Sequence, residues 1–455
     1  MKNIFKFLMA GALTLSVTSC GDEFLENEQF STTPQEISSV GDLNALMYGA
    51  YINSRSVTYY GRDMIIYGSL RGDDAFNDAG SGRFRGTSFY NMTQSDSYAT
   101  DTYAQIYEVI AQLNMIINSD FTNEARAAEI KNVKGQAYVM RALAFFDLLK
   151  LYGQEHTGGT LGISLMTEYD TEAKPGRATV AESHAQIAQD FEQGIALLDE
   201  SGIGSPNTKD LINVLSAKGL AARYYLYEGS QASLQKAYDY ATDVIESNAY
   251  GVVGADLYVN SFDQNLTSRN SLFEIAVGDQ ANLGTTSIAY MYSDLGYGDI
   301  NARPEFIATF EENDVRLDLF DGVDVPGKYP DISGASSIKI LRYEEVLLTR
   351  AEANLRLGID VAEATEDVNE VVTNRGLEAY ATVTLDDVLE QRRKEIFFEG
   401  QRYFDMLRLG MDIPAYNASG VLVETLVYDV DPRLAFPIPQ REIDVNPNVT
   451  PNPGY

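Results

Sequence analysis

The strongest constraint on this chain is an apolar stripe of helical period that keeps returning along its 455 residues. In "GDLNALMYGAYINSRS", Leu43, Leu46, Met47, Ala50 and Tyr51 recur at steps of three and four. That spacing lines one side of a helix, which must then bury that side against a neighbour. Asp42 is placed to cap its start. "DTYAQIYEVIAQLNMIIN" follows the same rule through Tyr103, Ile106, Tyr107, Ile110, Leu113 and Asn114, with Asp101 as the expected cap. "EARAAEIKNVKGQAYVMRALAFFDLLKLYG" predicts one long helix, with Tyr138, Ala142, Phe145, Leu149 and Tyr152 on one face and Gly153 as its stop.

The pattern continues. "TVAESHAQIAQDFEQGIALLDE" opens with a capping box, Thr179 and Glu182. "TKDLINVLSAKGLAARYYLYEG" and "LQKAYDYATDVIESN" are two helices across a short turn, with Ala217, Ala221, Ala237 and Ala241 where they would approach closely. "YEEVLLTRAEANLRLGIDVAEATEDVNEVVTNRGL" repeats the scheme. Helix–turn–helix units of this kind are similar to tetratricopeptide repeats of about 34 residues. The expected fold class is therefore mainly α, with no linker between folded domains. Two irregular zones interrupt it. Residues 58–100 and 250–337 are rich in glycine, polar and aromatic residues. Loops this long in a compact domain are usually functional. The tail "RLAFPIPQREIDVNPNVTPNPGY" should run extended over the surface.

The amino terminus reads differently. Lys2 and Lys6 precede the apolar run "FLMAGALTLSV", too short to span a bilayer, so 1–19 is expected to be a signal peptide. Cys20, the single cysteine, follows Thr18 and Ser19 and resembles the lipidated cysteine of a bacterial lipobox. Residues 20–40 are then the lipidated cysteine and a polar, acidic tether. Several acyl chains would hold the protein to an outer membrane without a transmembrane helix.

Charge and chemistry narrow the function. A net charge of −32 argues against nucleic acid, which needs a basic footprint. The two histidines, His156 and His184, lie in no metal spacing, and one cysteine makes a zinc site improbable. No GxSxG elbow and no phosphate loop occur. Asp73, Asp74 and Asp78 in "RGDDAFND" could supply a glycosidase pair or bind calcium, but with 66 acidic residues chance pairs are expected. In "QRRKEIFFEGQRYFDMLRLG", Arg392, Glu395, Glu399, Arg402, Asp405 and Arg408 form a helical ladder of opposite charges, a structural pattern.

That last stretch also resembles the C-terminal signature of the SusD/RagB family, nutrient-binding outer-membrane lipoproteins of Bacteroidota. "FPIPQREIDVNPNVTPNPGY", "LRYEEVLLTRAEANLRLG" with "VNEVVTNRGL", "KGQAYVMRALAFFDLLKLYG", "YAQIYEVIAQLNMII" and "SCGDEFLE" resemble further family segments in the right order. The resemblance implies about four tetratricopeptide-like helix pairs as a scaffold, with a family N-terminal part over 41–265 and a C-terminal part over 266–455. It implies no catalysis and no cofactor. Such a protein captures an oligosaccharide, or in some members a peptide, at the cell surface, and caps a SusC-like TonB-dependent transporter that imports it.

Sugars offer apolar C–H faces and a hydroxyl rim, which aromatic rings and polar side chains can grip. Only the two irregular zones mix such residues. The candidates are Tyr67, Asp73, Asp74, Arg83, Phe89, Tyr90 and Tyr98 in the first, and Tyr290, Tyr292 and Tyr297 in the second. Starch-binding relatives use tryptophan platforms; this chain has no tryptophan, and Tyr103 stands where many relatives carry one. A broad flat platform is therefore not expected, and a narrower glycan or a peptide is. A purely structural scaffold is the remaining alternative.

Overall fold

The computed structural model describes residues 37–78 and 80–455, and residues Val40–Tyr455 form one compact unit. The signal peptide, Cys20 and the tether up to residue 36 lie outside the described residues.

Helices dominate, and they pack in four antiparallel pairs. Helix α1 (Val40–Ser54) packs on α3 (Ser97–Ile117), with α2 (Asp63–Leu70) in the stretch between. Helix α4 (Ala127–Tyr152) pairs with α5 (Val180–Ser201), α6 (Val214–Glu228) with α7 (Gln231–Glu246), and α8 (Tyr343–Leu357) with α9 (Val361–Thr373). Further contacts, α3 on α4 and α7 on α8, join the pairs into one array. The predicted capping box at Thr179 and Glu182 is present, and Gly153 terminates α4. Two expected caps move. Helix α1 begins at Val40, before Asp42, and α3 is capped by Asp96 instead of Asp101. Asp96 accepts from the Tyr98 amide at 2.9 Å, and the helix starts more than a turn earlier than expected.

Small residues set how closely the pairs approach. Ala217, Ala221, Ala237 and Ala241 are fully buried between α6 and α7. Between α4 and α5, a Cβ on Gly135 would stand 3.0 Å from the Gly194 carbonyl, and one on Gly194 2.9 Å from the Gly135 carbonyl. Arg141 clamps this crossing. Its Nε donates to Asp190 at 2.7 Å and its Nη1 to Asn114 Oδ1 at 2.8 Å, joining three helices in the core.

The C-terminal ladder is not one helix. Helix α10 (Leu385–Glu395) ends, Ile396–Gly400 turn, and α11 (Arg402–Arg408) resumes. Phe398 (φ 58°) and Gly400 (φ 81°) make the turn. Apart from Asp405 with Arg408 inside α11, the charges consequently pair with other elements. Arg223 of α6 holds Glu345 of α8; Arg392 bonds Glu345 at 3.1 Å and Asp405 at 2.9 Å; Arg408 bonds Asp405 at 2.7 Å and Glu352 at 2.8 Å. Four helices are thus laced by one buried chain of alternating charge. Among the described residues the strands form three two-stranded sheets: β1 (Ala75–Asn77) with β3 (Ile300–Ala302), β2 (Ser271–Ile275) with β4 (Ile338–Arg342), and β5 (Ile413–Tyr416) with β6 (Leu422–Leu426).

The buried carboxyls titrate in opposite senses. Burial pushes Asp63, Asp74 and Asp367 up to about 6, and their arginine partners only partly offset it. For Asp405, burial also raises the pKa, but Arg392 and Arg408 outweigh it and hold the carboxyl at about 2. An acid whose folded pKa is raised makes the native state bind more protons than the unfolded chain, so stability grows as pH falls toward the unfolded value of about 4. A depressed acid contributes stability above its unfolded pKa that is lost as pH falls through the folded value. His156, which burial lowers, opposes the first trend below about pH 6.5. With Asp324, which burial and neighbouring acids also push up to about 6, four raised carboxyls against one imidazole place the stability maximum near about pH 5, with a fall below about pH 4. Scanning calorimetry across this range checks it; a melting temperature higher at neutral pH than at pH of about 5 would contradict it.

Candidate functional site

The two irregular zones meet. Strand β1 pairs antiparallel with β3, Ala75 opposite Ala302 and Asn77 opposite Ile300. Backbone bonds extend the seam, from the Arg303 amide to the Asp74 carbonyl at 2.8 Å and from Asp78 to Asp299 at 3.1 Å. This short sheet carries Arg83 of the first zone up to Tyr297 of the second.

At the seam three predicted residues come together. The rings of Tyr290 and Tyr297 lie 5.0 Å apart, edge to face at 70°. The Arg83 guanidinium stacks over Tyr297, 3.4 Å from its centroid, and its Nη1 donates to Asp299 at 3.2 Å. The loop bearing the tyrosines is rigid for a local reason. The Tyr297 amide bonds the Tyr290 carbonyl at 2.7 Å, and Gly296 lies so close to Tyr290 that a Cβ would stand 2.5 Å from that carbonyl. Tyr297 remains 41 % exposed, so the corner opens to solvent. Beside it, Asn301 bonds Asp324 at 3.2 Å, and burial with the charges of Asp294 and Asp321 lifts Asp324 to about 6. Adjacent in the chain to Arg83, Phe84 carries a stacked Tyr98 at 4.4 Å, with Arg62 5.2 Å over the same Phe84 ring. Arg62 also reaches the second zone through the Thr286 carbonyl at 3.4 Å.

Other predicted contacts turn inward, and these placements correct the sequence expectation. Residues 63–70 are helix α2, with every one of its residues buried. Its Tyr67 is fully buried, donating to the Tyr98 carbonyl at 3.1 Å, with its ring edge against Phe436. Tyr90 is buried over Arg71, 4.1 Å from guanidinium to ring, and bonds the Arg71 carbonyl. Tyr292 is buried against Tyr329 and Phe398. Asp73 accepts both Arg402 nitrogens, at 2.6 and 2.9 Å, and Asp74 accepts Arg393 Nε at 2.7 Å. These two acids anchor the start of β1 to α10 and α11. Phe89 is half-buried and sits apart, with Arg85 5.7 Å over its ring. Sequence reasoning passed over Asp299, Phe84 and Arg62. Asp299 stands two residues after Tyr297 in "GYGD", the one local signal that could have flagged it.

Two family models match the chain: one described as "Starch-binding associating with outer membrane" over residues 23–226, and the SusD family over 319–455. The chain belongs to the SusD/RagB family. The SusD-like protein P2 of Formosa agariphila is 23 % identical, covering 97 % of this chain and 98 % of the relative. The starch-binding protein SusD of Bacteroides thetaiotaomicron is 29 % identical over 215 residues, 44 % of this chain and 35 % of that protein. A crystal structure of a SusD superfamily protein from the same species superposes with a TM-score of 0.82 at 29 % identity, over 92 % of this chain and 100 % of the other. The surface glycan-binding protein A of Bacteroides uniformis shares the fold, with a TM-score of 0.72 at 20 % identity over 91 % and 99 % of the two chains. The four helix pairs are thus the SusD scaffold, and the seam lies on its inserted zones. No helix among the described residues is long and apolar enough to cross a membrane.

Proposed function

We propose that this SusD-family protein binds an oligosaccharide at the Tyr290–Tyr297–Arg83 corner and passes it, unaltered, to a SusC-like TonB-dependent transporter. Cys20 would carry the outer-membrane anchor. One observation carries the reading: a solvent-open aromatic corner in which Tyr297 is 41 % exposed, with the Arg83 guanidinium lying over its ring and bonded to the buried Asp299 carboxylate. Such a corner leaves open ring surface for a sugar C–H face and guanidinium N–H groups for its hydroxyls. Two rings at 70° make a notch instead of a flat platform, which suits one sugar unit or a branch. The relatives named for starch and surface-glycan binding support carbohydrate as the ligand. Arginines engage both Asp73 and Asp74, so this pair is spent on structure and not offered for hydrolysis.

A glycan array on the chain lacking residues 1–20, followed by calorimetry on the best hit, tests the proposal. Tyr297→Ala should weaken binding at least about tenfold with unchanged melting temperature, the loss expected for one exposed stacking ring. Binding of peptides and no glycan, or full affinity in the variant, would overturn it.

A further inference from the structure

Away from that corner, a cavity of about 430 Å³ opens beside the first turns of α3. Three chain segments enclose it: α3, the strap 164–175, and the tail 439–446. Hydrogen bonds fasten the strap at both ends. Tyr107 donates to the Ser164 carbonyl at 2.8 Å, Asn114 to Met166 at 2.8 Å, and Asn446 of the tail to Pro175 at 3.0 Å. The cavity is therefore built into the fold, and its size lies within the usual range of small-ligand pockets.

Its lining has two parts. Inside, Tyr103 and Tyr107 form an aromatic wall, their centroids 4.7 Å apart, with Met166 beside them. Ser164 is 4 % exposed and lines the same space, its Oγ beside the Tyr103 hydroxyl. At the mouth stand charges of both signs. Arg441 is exposed and makes no ion pair among the described residues, and Asp170 and Glu442 share the rim with it.

We propose that this cavity is a second binding site, for a free amino acid with an apolar or aromatic side chain. The side chain would lie on Tyr103, Tyr107 and Met166, the carboxylate on Arg441, and the ammonium against Asp170 and Glu442. A neutral sugar would cover the rim without meeting its charges, and covering an unpaired charge is costly. A simple anion would meet Arg441 but face two carboxylates. A zwitterion satisfies both signs at once. The site is independent of the glycan corner and does not rest on that function.

The test is titration calorimetry on the folded chain with L-phenylalanine, L-leucine and L-methionine. At least one should bind, and its N-acetyl and amide forms should bind at least about tenfold more weakly, each having lost one charge contact. Ala104→Trp places a ring at the exposed mouth on α3 and should abolish binding, while Tyr297→Ala should leave it unchanged. Arg441→Ala should weaken the free amino acid and leave the amide form unaffected. No binding by any amino acid, equal binding of the blocked forms, unchanged binding in Ala104→Trp, or binding of a monosaccharide instead would each overturn the proposal.

Discussion

Glu395→Ala should destabilise the protein by about 3–5 kcal/mol, the cost of leaving buried charges without their partner. Glu395 is fully buried and accepts from Arg342 Nη1 at 2.9 Å, Arg375 Nη2 at 2.9 Å and Arg375 Nε at 2.9 Å. Arg316 Nη1 stands 3.6 Å away and is otherwise unpartnered. Burial opposes the charge on Glu395, yet the arginines overcome it and hold the carboxyl far below the usual range. Alanine removes the acceptor and leaves three guanidiniums buried with too few carboxylates. Against a total stability of about 5–15 kcal/mol for an ordinary domain, that loss is large. Urea unfolding reads it as a lower midpoint at constant slope. A change under about 1 kcal/mol would show that Glu344, Glu399 and Asp314 suffice alone.

Gly68→Ala should cost at least about 3 kcal/mol, the upper range for overpacking a core. A Cβ at Gly68 would stand 1.9 Å from the Gly400 carbonyl oxygen and 2.4 Å from its carbon. Both atoms are backbone, so no side chain can swing aside. Gly400 cannot retreat, because its own Cβ position is 2.9 Å from Ile65 Cα and its φ is +81°. The contact binds α2 to the turn between α10 and α11, which is also where Arg402 and Arg393 hold Asp73 and Asp74. Disturbing it should therefore loosen β1 and the glycan corner along with the core. Gly49→Ala is the control. Its Cβ, half-buried toward Gln112 of α3, meets nothing nearer than 3.8 Å, so helix propensity should raise stability by up to about 1 kcal/mol. Thermal melts of the two variants should move in opposite directions.

The contrast between these glycines shows where local pattern stopped being informative. Gly68 lies in a stretch with too few periodic apolar residues to announce a helix, and "DMIIYGSL" becomes one because tertiary contacts surround it on all sides. The same burial claimed Tyr67, Tyr90 and Tyr292. A tyrosine carries an apolar ring and a polar tip, so it serves equally as a core residue with one hydrogen bond or as a ligand platform. Arg83, Tyr290 and Tyr297 were legible as candidates by type, but 207 residues separate Arg83 from Tyr290, and only the β1–β3 pairing joins them. The charged ladder was legible as structural, while its partners were not. The turn at Phe398 leaves Asp405 and Arg408 paired within one helix but sends Arg392 to Glu345 and Asp405 of two other helices and Glu395 to Arg342 and Arg375.

What the amino-acid order determined alone was the set of long helices, most of their ends, the close alanine crossings and the mainly α class. Those depend on interactions within about four residues, which spacing displays directly. Tertiary structure alone decided which aromatic rings face water, which carboxylates are spent on arginines, and how two zones far apart in the chain form one corner. Those outcomes turn on burial and on partners brought together from distant sequence, and neither leaves a local trace.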